Sequence, residues 1–341
     1  MIQPVRVSLR APPVLCASSV SIQRWRVTAA ETTGRKLRLD EYLLGHSAGH
    51  SRSQVQAWIR SGRVTVNGAR RKTGYTVRAG DAIEIDEPAP ADALPCPEPI
   101  PLEILYQDAD IAVVNKPAGL VTHAGAGIRS GTLVNALLFH LGPLESAEPL
   151  RPGIVHRLDK GTSGLLVVAR NPTAHRDLAS QFKDRRVRKE YRALVYGRMP
   201  QASGTIDRPI GRDPGNRKKF STRARRSRSA LTRYTVEREL GPFSLLKVQI
   251  MTGRTHQIRV HLAHLGHPIA GDTLYGGGRL NSIADPRLRA AAAGLGRMFL
   301  HAERIEFCHP VTADLRRFEA PLPRELATFI ALLERLQNAP P

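Results

Sequence analysis

The chain has 341 residues, enough for one small and one large folded domain. Its 51 Lys and Arg against 30 Asp and Glu leave a formal net charge of +21, more than solubility requires, which predicts a polyanionic partner. Cys16, Cys96 and Cys308 form no CxxC or Cys/His cluster and suggest neither a disulfide framework nor a metal site, which fits a reducing, cytoplasmic setting, and no run reaches the roughly 20 apolar residues of a membrane span.

Residues 1–30 contain no acid and several Arg and Ser, a composition that formally resembles an organellar transit peptide. Pro12 and Pro13 break the apolar patch, which a signal-peptide core seldom tolerates. A disordered extension over 1–34, or an upstream start codon, is expected instead.

In 35–87, Leu39, Tyr42 and Leu43 recur at helical spacing, as do Val55, Trp58 and Ile59 behind the caps Ser51 and Ser53, with Gly62 as a stop. The pattern then alternates through Val64 and Val66 and turns at Asn67-Gly68. It resumes with Tyr75 and Val77, a Gly80-Asp81 turn, Ile83 and Ile85. Arg52, Arg60, Arg63, Arg70, Arg71 and Lys72 lie along this segment with few acids between them. An ordinary solvated face is one reading; an RNA-contacting face carried by Arg52, Arg60, Arg63 and Lys72 is preferred. The order of elements resembles the S4 RNA-binding domain.

Six prolines within 88–101 predict an extended polyproline-type tether. From 102 to 335 strand and helix patterns alternate. Ile111 to Asn115 reads as a strand, Leu133, Ala136, Leu137, His140 and Leu141 as a helix, and Gly164 to Ala169 as an apolar strand before a helix opened by Asn171-Pro172. A strand over 187–196 sets Tyr191 in phase with Val187, Ala193 and Val195. Residues 245–250 read as a buried strand, and Ile258, Leu262 and Leu265 as the apolar stripe of a helix ending at Gly266. A loop with a short helix is expected over 277–297. The fold class is α+β.

The densest polar stretch is RPGIVHRLDKGTSGLLVVAR at 151–170. A loop with Gly153, Gly161 and Gly164 relaxing φ can hold a carboxylate at the mouth of a cleft. Asp159 is the nucleophile candidate; a turn residue or a local ion pair is the plainer alternative. His156 and Lys160 are read as loop packing or phosphate contacts, not as proton carriers. Between Arg212 and Arg233 stand nine basic residues and one acid, predicting a mobile cationic loop or hairpin that grips RNA backbone, with Arg217, Lys218 and Arg223 among its contacts.

LDKGTSGLLVV, read with NKPAGLVTHAG at 115–125 and TGRTHQIRVHLAHLGHPIAGDTLYG at 252–276, resembles the RluA-type family of pseudouridine synthases. The resemblance runs from about residue 35 to 325, through RKEYRALVYG at 188–197, RPIGRDP at 208–214, LHA at 300–302 and APLP at 320–323. It implies a mainly antiparallel sheet crossed by the active-site cleft, no metal, no cofactor, and conversion of selected uridines to their C5-glycoside isomer. Carried over by motif, Asp159 acts at the ribose C1′, through a covalent sugar adduct or a glycal. Arg259 of HQIR keeps that carboxylate charged, with Arg254 as second choice. Tyr191 stacks on the target base and acts on its C5 proton, and Arg157 fills the space that an extruded base leaves.

An S4-like domain ahead of such a catalytic domain is most similar to the synthases of large-subunit ribosomal RNA, with transfer RNA as the alternative substrate. A monomer acting without membrane or metal is expected. A non-catalytic ribosomal RNA-binding assembly factor would be favoured had Asp159, Tyr191 or Arg259 been lost, and a glycoside hydrolase lacks a second carboxylate beside Asp159.

Overall fold

The computed structural model describes residues 21–32, 34, 36–46, 51–87, 94–125, 128, 130–145, 148–216 and 218–338. Of these, 21–87 form one compact unit and 94–338 another. No helix among the described residues is long and apolar enough to cross a membrane.

The first unit runs β1 (Ser21–Arg26), α1 (Ala29–Thr32), α2 (Leu39–His46), α3 (Arg52–Ser61), β2 (Val64–Val66), β3 (Ala69–Arg70) and β4 (Ala82–Glu87). Its antiparallel sheet has the order β1-β4-β2-β3. The helices form where apolar spacing and caps coincide. Ser51 and Gln54 make a reciprocal capping box at the start of α3, and Gly62 ends it in the left-handed region. Leu39, Leu43, Val55 and Ile59 then bury against Val64, Val66, Ile83 and Ile85. Asn67 and Gly68 both adopt positive φ, 53° and 74°, as the tight turn between β2 and β3 demands.

Two expectations for this unit are corrected. β1 pairs with β4 along its whole length, and Val27 is buried, so the expected disordered extension does not reach residue 34; residues 1–20 lie outside the described residues. Tyr75 and Val77 lie outside the sheet, because their backbone bonds Leu39 and Leu37 instead.

The second unit begins with β5 (Glu103–Gln107), β6 (Ile111–Lys116), α4 (Leu133–Leu141), β7 (Ser163–Ala169), α5 (Pro172–Lys183) and β8 (Arg188–Tyr196). It continues with β9 (Ser203–Asp207), β10 (Ile210–Arg212), β11 (Phe220–Ser221), β12 (Ser227–Arg228), β13 (Leu231–Leu240) and β14 (Phe243–Ile250). It ends with α6 (Gln257–His264), α7 (Pro286–Ala293), β15 (Leu300–Cys308), β16 (Leu315–Glu319) and α8 (Arg324–Asn338). A nine-stranded sheet has the order β5-β6-β7-β15-β8-β14-β13-β9, with β16 on β15; all pairs are antiparallel except β7 with β15. One large apolar core joins this sheet to α4, α6, α7 and α8, and a second packs α5 against β6, β7 and β15.

The tether expectation holds only for the absence of regular structure. Residues 88–93 lie outside the described residues, while 94–101 are fastened to α4. Asn135 donates to the Cys96 carbonyl at 2.7 Å, the Glu98 carboxylate accepts from the Gly131 amide at 3.0 Å, and His140 donates to the Ile100 carbonyl at 2.8 Å. The prolines keep this stretch out of a helix or sheet ladder and leave the carbonyls of Cys96 and Ile100 between them free to accept such bonds, so this half is a strap on the second unit.

Candidate active site

The loop that carries Asp159 is built by its own flanks. The His156 ring stacks on Phe182 with centroids 4.5 Å apart, and its Nε2 accepts the Val167 amide at 3.0 Å. Burial, then the charge of Lys189, pushes this imidazole down to about 3, so it stays neutral and packs the loop. Gly153 and Gly164 have φ of 73° and 115°, and a Cβ on Gly164 would meet the Ala302 carbonyl oxygen at 2.2 Å. Gly161 has no positive φ, so the expectation of a third relaxed glycine is corrected.

Asp159 itself is clamped from both sides. The Thr122 hydroxyl donates to the Leu158 carbonyl at 2.9 Å, and the Gly119 amide donates to the Lys160 carbonyl at 2.7 Å. The turn supplying both is held in turn by buried Lys116, whose ammonium donates to the carbonyls of Pro117 and Leu120 at 2.8 and 2.9 Å. Burial, then repulsion from Arg297, lowers that amine to about 7. The segment 116–122 thereby fixes the carbonyls of the two residues on either side of Asp159.

Asp159 Oδ2 accepts from Arg259 Nη1 at 3.1 Å. The other edge of the guanidinium makes a two-bond fork to Asp272, Nε to Oδ2 at 2.7 Å and Nη2 to Oδ1 at 3.0 Å. Burial works against charge on Arg259, but the bonds and charges of Asp272 and Asp159 outweigh it and raise the group above its ordinary value. The guanidinium also lies 4.9 Å from the centre of the Tyr275 ring. Arg254, the alternative cation, donates to the Ser229 carbonyl at 3.1 Å and does not bond Asp159.

His256 precedes α6 with φ of 57°, an uncommon left-handed conformation for a residue with a Cβ. This turn places its Nε2 3.9 Å from Asp159 Oδ2 and its Nδ1 2.9 Å from the Tyr275 hydroxyl, which also accepts the Phe220 amide at 2.8 Å. In α6, Ile258 and Leu262 are buried as the stripe predicts, but Leu265 is 39% exposed and Val260 is buried instead, against Ile210 and Ala230. The reason is a second apolar neighbour for α6, on β10.

Tyr191 on β8 lines the same cleft as Asp159, Arg157, Arg254, His256 and Arg259. Burial, then the charge of Asp159, raises its hydroxyl, so it remains a neutral phenol. Arg157 reaches out at the rim, where its Nη1 approaches His123 Nε2 at 3.4 Å while His123 Nδ1 donates to the Ala124 carbonyl at 2.8 Å.

Of the cationic loop or hairpin expected over 212–233, the structure has the hairpin form, a small antiparallel sheet in the order β11-β10-β12, with Lys218 and Arg223 exposed. Arg217 lies outside the described residues. Phe220 of this sheet docks on Tyr275 and His256, which joins it to the cleft. In the first unit, Arg60 and Lys72 are exposed without an ion pair among the described residues, whereas Arg52 bonds Asp40 at 3.3 Å and Arg63 bonds Asp86 at 3.1 Å. The expectation of a face nearly free of acids is therefore corrected: carboxylates distant in sequence fold onto two of the four expected RNA contacts, Arg52 and Arg63.

Asp108, Asp110 and His309 have the composition of a cation site, with ligand atoms within 4.8 Å of one another. Their atoms are already committed. His309 Nδ1 accepts the amides of Val311 and Thr312, which leaves the proton on Nε2 to donate to Asp108 at 3.0 Å. The Asp108 carboxylate accepts four bonds, two of them from the amides of Asp110 and Ile111.

Residues 110–264 match the family described as RNA pseudouridylate synthase, and residues 37–83 match the S4 domain. Along 310 residues the chain is 41% identical to a Bacillus subtilis protein described as an uncharacterized RNA pseudouridine synthase, covering 91% of this chain and 98% of that one. The chain belongs to the RNA pseudouridine synthase family. It is 42% identical to the ribosomal large subunit pseudouridine synthase D of Xanthomonas campestris, over 91% of this synthase and 92% of that one. Human RNA pseudouridylate synthase domain containing 1 has a similar structure, with a TM-score of 0.53 and 27% identity over 74% of this chain and 98% of its own. The synthase thus has the α+β fold and the S4 domain that its motifs imply.

Asp272, Tyr275, His256, Thr122 and His123 lie within the family motifs, and nothing in their local pattern marks a role for them. The signal available was their presence in two runs rich in Gly and His. Asp272 also answers the apparent lack of a second carboxylate. It stands one guanidinium away from Asp159, but it is buried and both of its oxygens accept from Arg259, so it is not offered as a general acid to the cleft.

Proposed function

We propose that this synthase isomerises selected uridines of large-subunit ribosomal RNA to pseudouridine, as a cytoplasmic monomer needing neither metal nor cofactor. The observation that carries the reading is the array in one cleft: Asp159 held on one oxygen by Arg259, with Arg259 fixed by Asp272 and the Tyr191 phenol on the adjoining wall. Relatives at 39% and 42% identity named as large-subunit synthases support the choice of RNA.

A target base inside folded RNA must leave its stack, at an expense of a few kcal/mol, and Arg157 at the rim is placed to occupy the gap. Asp159 Oδ1 has no hydrogen-bond partner among the described residues and is the oxygen free to approach C1′. Attack there breaks the C1′–N1 bond and leaves the electron pair on uracil; the alternative, removal of the C2′ proton to give a glycal, breaks the same bond. The base rotates, C5 bonds to C1′, the C5 proton leaves and N1 gains one, so product and substrate are isomers. Arg259 stabilises the carboxylate that departs when Asp159 is released. Tyr191 packs against the ring and, as a neutral phenol, acts on the C5 proton. The S4-like unit, with Arg60 and Lys72 exposed, and the β10–β12 sheet, with Lys218 and Arg223, hold RNA backbone.

The test is incubation of the purified chain, with chelator present, with large-subunit RNA transcript carrying tritium at uridine C5. Release of label is expected. No release from large-subunit RNA, free or partly assembled, alongside release from transfer RNA, would move the substrate; no release from either would support a binding protein.

A further inference from the structure

A second concavity, outside the cleft, lies at the end of the sheet where β8 begins and β14 finishes, and encloses about 680 Å³. Seven Arg or Lys side chains line it against two glutamates, Glu190 and Glu306. Both acids are already engaged. Glu190 bonds Arg304 at 3.0 Å, and Glu306 bonds Arg317 at 2.7 Å and Arg188 at 3.3 Å. Arg185, Lys189 and Arg233 are left without a carboxylate partner among the described residues.

Lys189 is the most telling of these. It is half-buried over the Phe182 ring, 5.2 Å from its centre, and burial lowers its amine to about 8. Arg304 Nε is buried as well and has no hydrogen bond. Lys189 is thus a cation partly withdrawn from water with no acceptor among the described residues, a position that is costly unless a ligand supplies one. The groove also adjoins the cleft: Ile250 lines both it and the cleft of Asp159, and Lys189 stands two residues before Tyr191 on β8.

We infer that this groove is a phosphate site for the RNA strand flanking the target nucleotide, with Lys189 and Arg233 as its principal contacts. The inference rests on the function proposed above. The position explains why a cationic channel should adjoin the cleft at this place: a base drawn into the cleft brings its neighbouring phosphates within reach of the sheet end, and each neutralised phosphate releases counterions. Two glutamates among the arginines hold their guanidinium planes in place and leave net positive charge for the strand.

The experiment is equilibrium binding of large-subunit RNA transcript across a salt series. It compares the unaltered chain with Lys189→Met, Arg233→Ser, the double variant, and Arg335→Ser as an exposed arginine outside the groove. Met keeps the packing on Phe182, and Arg233 is exposed on β13, so thermal unfolding run in parallel identifies any variant that fails to fold. The double variant is expected to bind at least about tenfold more weakly near 0.1 M salt, with the slope of log K against log salt reduced by roughly 1 to 2. Arg335→Ser should leave both unchanged. Unchanged affinity and slope in the folded double variant would overturn the groove. If the unaltered chain binds with full slope yet releases no tritium, the synthase reading fails, and the groove still stands or falls by its own slope.

Discussion

Asp40 in the first unit and Asp159 in the second are both carboxylates met by arginines, and they are used in opposite ways. Asp40 is fully buried, with Oδ1 accepting from Arg38 at 2.9 Å and Oδ2 from Gln56 at 2.8 Å and Arg52 at 3.3 Å. Burial works against its charge, but these bonds win and hold its carboxyl down to about 2. Asp159 keeps 17% of its side chain exposed and spends one oxygen on one strong donor. The partners differ as well. Arg38 and Arg52 remain about half exposed and serve the carboxylate, whereas Arg259 is itself pinned by Asp272. A carboxylate saturated with donors fastens a fold; one left half-satisfied at a cleft, beside a cation that cannot move, is equipped to react.

Breaking the reactive side of this comparison should cost most. Tyr191→Phe keeps the ring and loses the hydroxyl, so tritium release should slow by about 10²-fold or more while RNA affinity changes little. A loss below about threefold would reduce Tyr191 to a stacking ring. Arg259→Lys keeps a charge but cannot fork to Asp272 and reach Asp159 at once, and single-turnover release should fall by roughly 10²-fold.

The structural side predicts a different readout. Asp40→Asn should lower the unfolding temperature at neutral pH. The folded carboxyl lies below its unfolded value, so its contribution is present above roughly pH 4 and fades as pH falls towards about 2. The gap in unfolding temperature between the unaltered chain and Asp40→Asn should close over that interval; a gap constant with pH would show that the charge is not what stabilises. The smallest effect concerns the clamp. Thr122→Val removes the bond to the Leu158 carbonyl, and turnover should drop several-fold with a stability loss of about 1 kcal/mol, read by tritium release and denaturant unfolding. Full turnover in that variant would show that the loop is set without it.

Local signals were legible in the sequence. Ser51 as a cap, Asn171 with Pro172 and Asn67 with Gly68 each fix a helix start or a turn through contacts a few residues long, and each appears where its pattern places it, whereas Ser53, the other expected cap, lies within α3. The apolar stretch after Asp159 became β7, and its resemblance to a family singled out Asp159, Tyr191 and Arg259, which line one cleft. What stayed hidden acts across distance. Thr122 reaches Leu158 over 36 residues, and Asp40 meets Arg52 and Gln56 from another helix, which turned an expected RNA contact into a partly structural one. Tyr75 and Leu265 alternate or recur correctly yet face other neighbours, because spacing states which side a residue takes and not what lies there. The groove at Lys189 exists only where β13, β14 and β15 bring Arg233, Gln249 and Arg304 to the basic residues at the start of β8.

The most direct measurement pairs Asp159→Asn with the unaltered chain in tritium release, RNA binding and thermal unfolding on one preparation. Asparagine preserves shape and removes the charge, so turnover should vanish while affinity stays within about threefold and the unfolding temperature is kept. Retained turnover in the folded variant would contradict the account, because the half-satisfied carboxylate would then not be the reacting group.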